Sequence, residues 1–399
     1  MESLKSRLAQ PHLIRWVFVI AAIVLCGIAV ERTLYGTSDF DTFHKAGQMF
    51  WDDGRLRDDD SGPAVRYPPT FSLLMAPFGA LPLAVACALW SLLSVLAAAS
   101  LPRIFEKLLG VPPREQWLAW LTVMPFVVGI VLLGQNGLIL LWMASMGLLL
   151  AREGRSILGG HMLFVATLLK VIPAPLLAIP ILLRRIRGTV LGVAGTAAVA
   201  AVIFTVTLGS DDASESVEGW WARSRTENTP WAIIEAGHAL RYKNQGLAVT
   251  LARTLGYVDP GRARGAVRLM TLPDLATKSL YWALAGTIGL TWMLCLWRSR
   301  RIPPRQAWGR MLALTFIAML AASPIVWTHY FVWLLPALVA VQNRRRLMPW
   351  ILALSTAALL IREARALGAH MILALVLFVL IAGDLLRSEE VTPEPSSPG

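Results

Sequence analysis

The chain predicts an all-α fold, a polytopic transmembrane helical bundle of about 10–13 spans. Three observations carry that prediction. Of its 399 residues 56% are hydrophobic and 16% charged, where a soluble domain holds about 45–50% apolar residues. The mean hydropathy is +0.58. Apolar stretches approaching the roughly 20 residues that a bilayer core demands recur along the whole length.

The first stretch, residues 16–33, follows Lys5, Arg7 and Arg15 and has the charge pattern of a signal peptide. No small-x-small cleavage site precedes Glu31-Arg32, so it reads as an uncleaved span. Stretches at 71–101, 117–133 and 138–151 come next. Ile172-Pro173-Ala174-Pro175 then splits an apolar segment into 158–170 and 173–183, because proline removes a backbone donor. Stretches at 189–208, 279–297, 311–322, 325–342, 350–361 and 370–386 complete the bundle. Residues 1–387 read as one membrane domain with longer loops at about 34–70 and 209–278. The polar, Pro/Ser-rich tail at 388–399 reads as disordered.

Charge orients this layout. The formal net charge is +12, and cytoplasmic loops collect Lys and Arg. Basic clusters follow every second stretch: Arg103, Lys107 and Arg114; Arg152 and Arg155; Arg184, Arg185 and Arg187; Arg298, Arg300, Arg301 and Arg305; Arg344, Arg345 and Arg346. Both termini are therefore expected in the cytoplasm of a plasma-membrane protein, with the two long loops outside. Arg362 and Arg365 stand against the pattern. The sixteen Trp fit membrane interfaces. No basic run is interleaved with aromatics, so nucleic acid is not an expected partner. Cys26, Cys87 and Cys295 lie in apolar stretches, without ligand or disulfide spacing.

The outer side then gathers the groups that could do chemistry. Ser38-Asp39-Phe40-Asp41-Thr42-Phe43 hangs on the end of the first span, and carboxylates at a membrane helix usually mark function. Asp39 and Asp41, two apart, point in different directions, so one can face a cavity while the other caps a helix. A carboxylate there can serve as general base for a substrate hydroxyl, or both can be solvated caps. The stretch that follows is acidic, with Asp52, Asp53, Asp58, Asp59 and Asp60. Tyr67-Pro68-Pro69 reads as a helix start.

Lys170, at the tip of a proline-broken hairpin, can snorkel or meet a phosphate. Arg241, Tyr242, Lys243, Asn244 and Gln245 offer charge and amide donors to phosphate or sugar hydroxyls. Trp220, Trp221 and Trp231 suit interfacial anchoring or sugar stacking. His329 and Tyr330 share the outer face. No Walker lysine motif, His-Glu-x-x-His or Cys/His ligand pairing is present, which weighs against ATP-driven transport and zinc hydrolysis. No cofactor is expected, and nothing indicates a divalent cation.

Asp39-Phe40-x-x-Phe43-x-x-Ala46 followed by Tyr67-Pro68-Pro69 resembles the first-loop signature of glycosyltransferase family 87. Gly134-Gln135-Asn136-Gly137-Leu138, Lys170-x-x-Pro173, Asn244-Gln245-Gly246-Leu247 with Arg253, and Ser323-Pro324-x-x-Trp327-x-His329-Tyr330 match in the same order. Phe43 stands where that family commonly has Tyr, and Gly246 where it commonly has Ser.

The resemblance implies a cell-envelope enzyme of GT-C architecture. It implies inverting transfer of a hexose, mannose first, from a polyprenyl-phosphate donor to a lipid or glycan acceptor hydroxyl on the extracytoplasmic side. It implies Asp39 as base, with His329 in the active site. Lys170, Arg253 and Arg241 are expected at the donor phosphate. Asp41, Tyr67, Gln135, Asn136, Asn244, Gln245 and Tyr330 are expected to bind substrate, and membrane lipids to surround the protein. The rival reading, a transporter or flippase of a lipid or sugar, expects mid-membrane charges and paired broken-helix repeats. The charged candidates cluster instead at one face.

Overall fold

A computed structural model describes residues 11–52, 67–237, 242–256 and 267–388. Arg241, the acidic positions Asp53 and Asp58 to Asp60, and the tail from residue 389 lie outside them. The chain folds as α1 (Pro11–Leu34), α2 (Phe40–Asp52), α3 (Pro69–Gly79), α4 (Leu83–Leu109), α5 (Trp117–Leu133) and α6 (Gly137–Arg152). Then come α7 (Ser156–Leu169), α8 (Ile186–Leu208), α9 (Ser210–Glu227), α10 (Pro230–Glu235), α11 (Leu247–Leu255) and α12 (Asp274–Arg298). The last five are α13 (Pro304–Ala322), α14 (Leu335–Ala340), α15 (Met348–Leu360), α16 (Arg362–Ala366) and α17 (Ala369–Arg387). No strand occurs among the described residues.

Five helical stretches are long and apolar enough to cross a membrane: 16–34, 83–109, 174–208, 274–301 and 369–387. Helices α5 and α6 meet at 115° and pass the same test as one bent pair. Other predicted spans appear as shorter apolar helices at 156–169, 328–340 and 348–360. The predicted spans at 173–183 and 189–208 fall in the one stretch 174–208, and the one at 311–322 lies in α13, which is not among the five.

Helix α13 is the central post. Its residues from Met311 to Ile317 are all buried, and it packs on α4, α12 and α17. Helix α1 lies at the rim, where Trp16, Phe18, Ile20 and Ile23 are exposed, as expected of a lipid-facing surface.

The proline-directed break is present. Lys170 closes α7 in extended conformation, and Pro173 opens a short 3-10 turn at Ala174–Leu177. The chain breaks again at Leu183 and Arg184, which leave helical geometry before α8 begins. Pro68 and Pro69 start α3, where their missing N–H groups cost nothing. Helices α2 and α3 touch backbone to backbone: a Cβ on Gly47 would strike the Met75 carbonyl, and one on Gly79 would strike Gly47.

Polar groups sort to the two ends of the bundle. At one end Arg152 Nη1 donates to the Lys107 carbonyl at 2.7 Å, Arg344 pairs with Asp384 at 2.6 Å, and Arg298 reaches the Ser388 carbonyl at 3.2 Å. At the other end lie Asp39, the 134–137 turn, and the segments 243–246 and 323–330. Arg362 and Arg365 flank the Tyr242 ring, 5.4 and 4.8 Å from its centroid. Both therefore belong to the Asp39 end, as the layout places them despite the charge pattern.

Candidate active site

The site is built around the turn between α5 and α6. Helix α5 ends on Gly134 at φ +64°, a conformation that favours glycine. A Cβ there would also collide with the Phe40 side chain. Trp90 Nε1 donates to the Gly134 carbonyl at 2.9 Å, and Trp333 Nε1 donates to the Gly137 carbonyl at 3.0 Å. Two indoles thus hold the turn from opposite sides in sequence.

The Asp39 loop docks on the same turn. Asp39 N–H and Ser38 Oγ both donate to the Leu133 carbonyl, at 3.0 and 3.1 Å. Ser38 Oγ also accepts from Phe40 N–H at 3.1 Å, so the serine caps α2 and leaves the Asp39 carboxylate free of that task. Gln135 Nε2 donates to Asp39 Oδ2 at 2.5 Å. Asp39 is exposed while Gln135 is buried: a fixed amide orients a carboxylate that still faces outward.

Asp41 goes elsewhere. It accepts from Lys45 Nζ at 2.8 Å, one turn further along α2. Such a surface pair contributes about 0.3–0.5 kcal/mol, and it occupies the carboxylate expected to contact substrate.

Lys170 stands in an aromatic cage. Its Nζ donates to Tyr330 Oη at 2.6 Å and lies 3.9 Å from that ring's centroid, 5.7 Å from Tyr67 and 5.8 Å from Trp333. Tyr67 stacks on Phe71 at 4.3 Å and meets Phe43 edge-on at 5.4 Å. Because Phe43 lies one turn beyond Asp39, the cage and the carboxylate belong to one continuous wall. His329 meets Tyr330 edge-on at 4.8 Å and packs beside Gly129 of α5, six residues before Gln135.

The third wall joins two distant loops. Asn244 Oδ1 accepts from Gly246 N–H and Val326 N–H, both at 3.0 Å, and Gln245 N–H donates to the Val326 carbonyl at 2.8 Å. Asn244 therefore serves first as a joint between loops, not as an open substrate ligand.

Arg253 departs further from expectation. It is only 1% exposed, its Nε donates to the Ala366 carbonyl at 2.6 Å, and its Nη1 donates to the Asn244 carbonyl at 3.0 Å. Burial pushes its guanidinium down to about 10, still charged near neutrality. The cation is spent on backbone rather than open to a donor phosphate. Its place in the last turn of a short amphipathic helix gave no sign of this.

Unpartnered buried atoms occur on these walls, as they do elsewhere in the bundle: Gln135 Oε1, both amide atoms of Asn136 and of Gln245, and His329 Nε2. Buried polar atoms normally have partners, so these amides and the ring nitrogen have hydrogen-bonding capacity to spare. Trp231, by contrast, packs edge-on against Tyr281 beside Lys278. Trp90 and Trp333 escaped the sequence reading, since an indole's long-range acceptor leaves no local pattern.

Glycosyltransferase family 87 matches residues 66–324. The polyprenol-phosphate-mannose-dependent alpha-(1-2)-phosphatidylinositol mannoside mannosyltransferase of Mycolicibacterium smegmatis (strain ATCC 700084 / mc(2)155) is 29% identical over 357 residues, covering 80% of this chain and 73% of that protein. No solved structure matches. The helical bundle, the ordered motifs and the match over most of the chain lead to one assignment: this chain belongs to glycosyltransferase family 87 and is a membrane hexosyltransferase.

Proposed function

We propose that the enzyme transfers a mannosyl unit from a polyprenyl-phosphate donor to a hydroxyl of a lipid or glycan acceptor, on the extracytoplasmic side and with inversion. The observation that carries this reading is the exposed Asp39 carboxylate, held by Gln135, on the same wall as the caged Lys170. Both termini then face the cytoplasm, in keeping with the basic end of the bundle.

The chemistry follows from the parts. Asp39 takes the acceptor's hydroxyl proton as that oxygen attacks C1 of the donor sugar. The bond from C1 to the phosphate oxygen breaks, and polyprenyl phosphate leaves with the electron pair. Lys170 stands where a cation can neutralise that leaving group, a task suited to a preorganised charge. The amides of Asn136 and Gln245 and the His329 ring offer unpartnered atoms to sugar hydroxyls. Arg253 holds the Asn244 wall in place. The polyprenyl tail needs only an apolar helix surface, which α1 and α8 expose in quantity.

The test is direct. Membranes carrying Asp39→Asn, supplied with polyprenyl-phosphate mannose and phosphatidylinositol mannoside acceptor, are expected to form no labelled product while the protein stays folded. Full activity in that variant overturns the base assignment. Efficient use of a nucleotide sugar in place of the lipid donor overturns the donor.

A further inference from the structure

The opposite end of the bundle holds a cleft of about 220 Å³ lined by Arg152, Leu183, Arg184, Arg185, Pro304 and Trp308. We propose that this cleft binds a phosphate monoester, carried on a lipid headgroup or free in water, at a second site remote from Asp39.

Charge alone does not carry the proposal, because arginines at this end also orient the chain in the bilayer. Topology asks only for solvated charges. Here three arginines converge on one concavity whose floor is the buried Trp308. Arg184 and Arg185 are exposed, and no carboxylate of the described residues pairs with either.

The backbone adds an independent observation. Arg184 has φ +69°, the one positive φ at a non-glycine among the described residues. A side chain in that region is strained, and strain of this kind gathers at ligand clamps and switches. Glycine would relieve it; arginine is what stands there.

Helix α8 also begins at the rim, at Ile186 directly after Arg185, and the partial positive charge of a helix start favours an anion. The volume lies between a water's share of about 30 Å³ and the roughly 300 Å³ at which drug-sized pockets begin. It suits a phosphate with a few further atoms. Arginine's planar fork matches a phosphate's oxygens in pairs.

The full-length protein in an uncharged detergent provides the test. Its melting temperature is followed against dihexanoyl phosphatidic acid, dihexanoyl phosphatidylcholine, and inorganic phosphate at constant ionic strength. A saturable rise with phosphatidic acid alone identifies a lipid headgroup, and a rise with inorganic phosphate as well shows that the phosphate group suffices. Arg184→Gln/Arg185→Gln is expected to raise the midpoint concentration at least tenfold. Arg184→Gly, which removes the strain, is expected to lose the response equally while melting no lower than wild type.

Arg187→Gln, one residue into α8 and outside the cleft, is expected to respond as wild type. Lys170→Met separates this site from the donor site and is expected to keep the response. An equal shift with phosphatidylcholine, no saturable shift, or an equal loss in Arg187→Gln or Lys170→Met overturns the proposal.

Discussion

Gln135 donates its side-chain amide to the Asp39 carboxylate at 2.5 Å from a buried position. Replacing Gln135 with Leu keeps the volume but removes the donor. Transfer is expected to fall about 10²-fold, the penalty typical of a misplaced reacting group. Circular dichroism and the melting temperature should stay near wild type. A variant with unchanged turnover would separate Gln135 from the chemistry.

Lys170→Met removes the cation and keeps a flexible apolar stem in the cage. A loss of about 10²–10³ in kcat/KM is expected, as for removal of one preorganised electrostatic donor. Tyr330→Phe deletes only the hydroxyl that receives Nζ, so a loss of about tenfold is expected, worth about 1.4 kcal/mol. Steady-state kinetics with the lipid donor in detergent compares the two, and an equal loss in both would give the hydroxyl, not the ammonium, the main role.

Gly134→Ala meets two obstacles at once, the positive φ and the Phe40 side chain. Destabilisation of about 2–4 kcal/mol is expected from strain plus overpacking. The Asp39 loop should loosen before the bundle does. Limited proteolysis between α1 and α2 would report that order, and simultaneous loss of the whole fold would contradict it.

Arg253→Ala leaves the carbonyls of Ala366 and Asn244 bare, each worth about 1–3 kcal/mol when buried. The melting temperature should drop, and Arg253→Lys should not restore it, because one ammonium cannot reach both acceptors in a fork's geometry. The fraction that remains folded should keep the wild-type KM for donor. A raised donor KM in that fraction would return Arg253 to the phosphate.

Much of this architecture was legible in the chain. Apolar stretches, the Pro173 break, the Pro68-Pro69 helix start and the sorting of charge to two ends all follow from local chemistry that acts where it is written. Spacing alone left Asp39 and Asp41 undivided and only the family resemblance singled out Asp39; the pairing of Asp41 with Lys45, four residues on, adds a difference between them. The burial of Arg253 was not legible. Its acceptor at Ala366 is 113 residues away, and a basic residue in the last turn of a short helix looks the same whether it meets water or a carbonyl. The indoles of Trp90 and Trp333 were hidden for the same reason, since composition assigns tryptophan to the interface.

The cage around Lys170 also sets an order of events during synthesis. Tyr330 lies 160 residues beyond Lys170, and a ribosome making roughly 5–20 residues per second needs about 10–30 s to reach it. Throughout that interval the ammonium has neither its hydroxyl partner nor the Trp333 ring, and the 243–246 segment has no Val326 to close against. The pocket around Lys170 is therefore among the last features of the chain to assemble, long after Asp39 has been made. A product truncated ahead of residue 330 would carry Lys170 without the Tyr330 hydroxyl and the Trp333 ring that enclose it in the full chain.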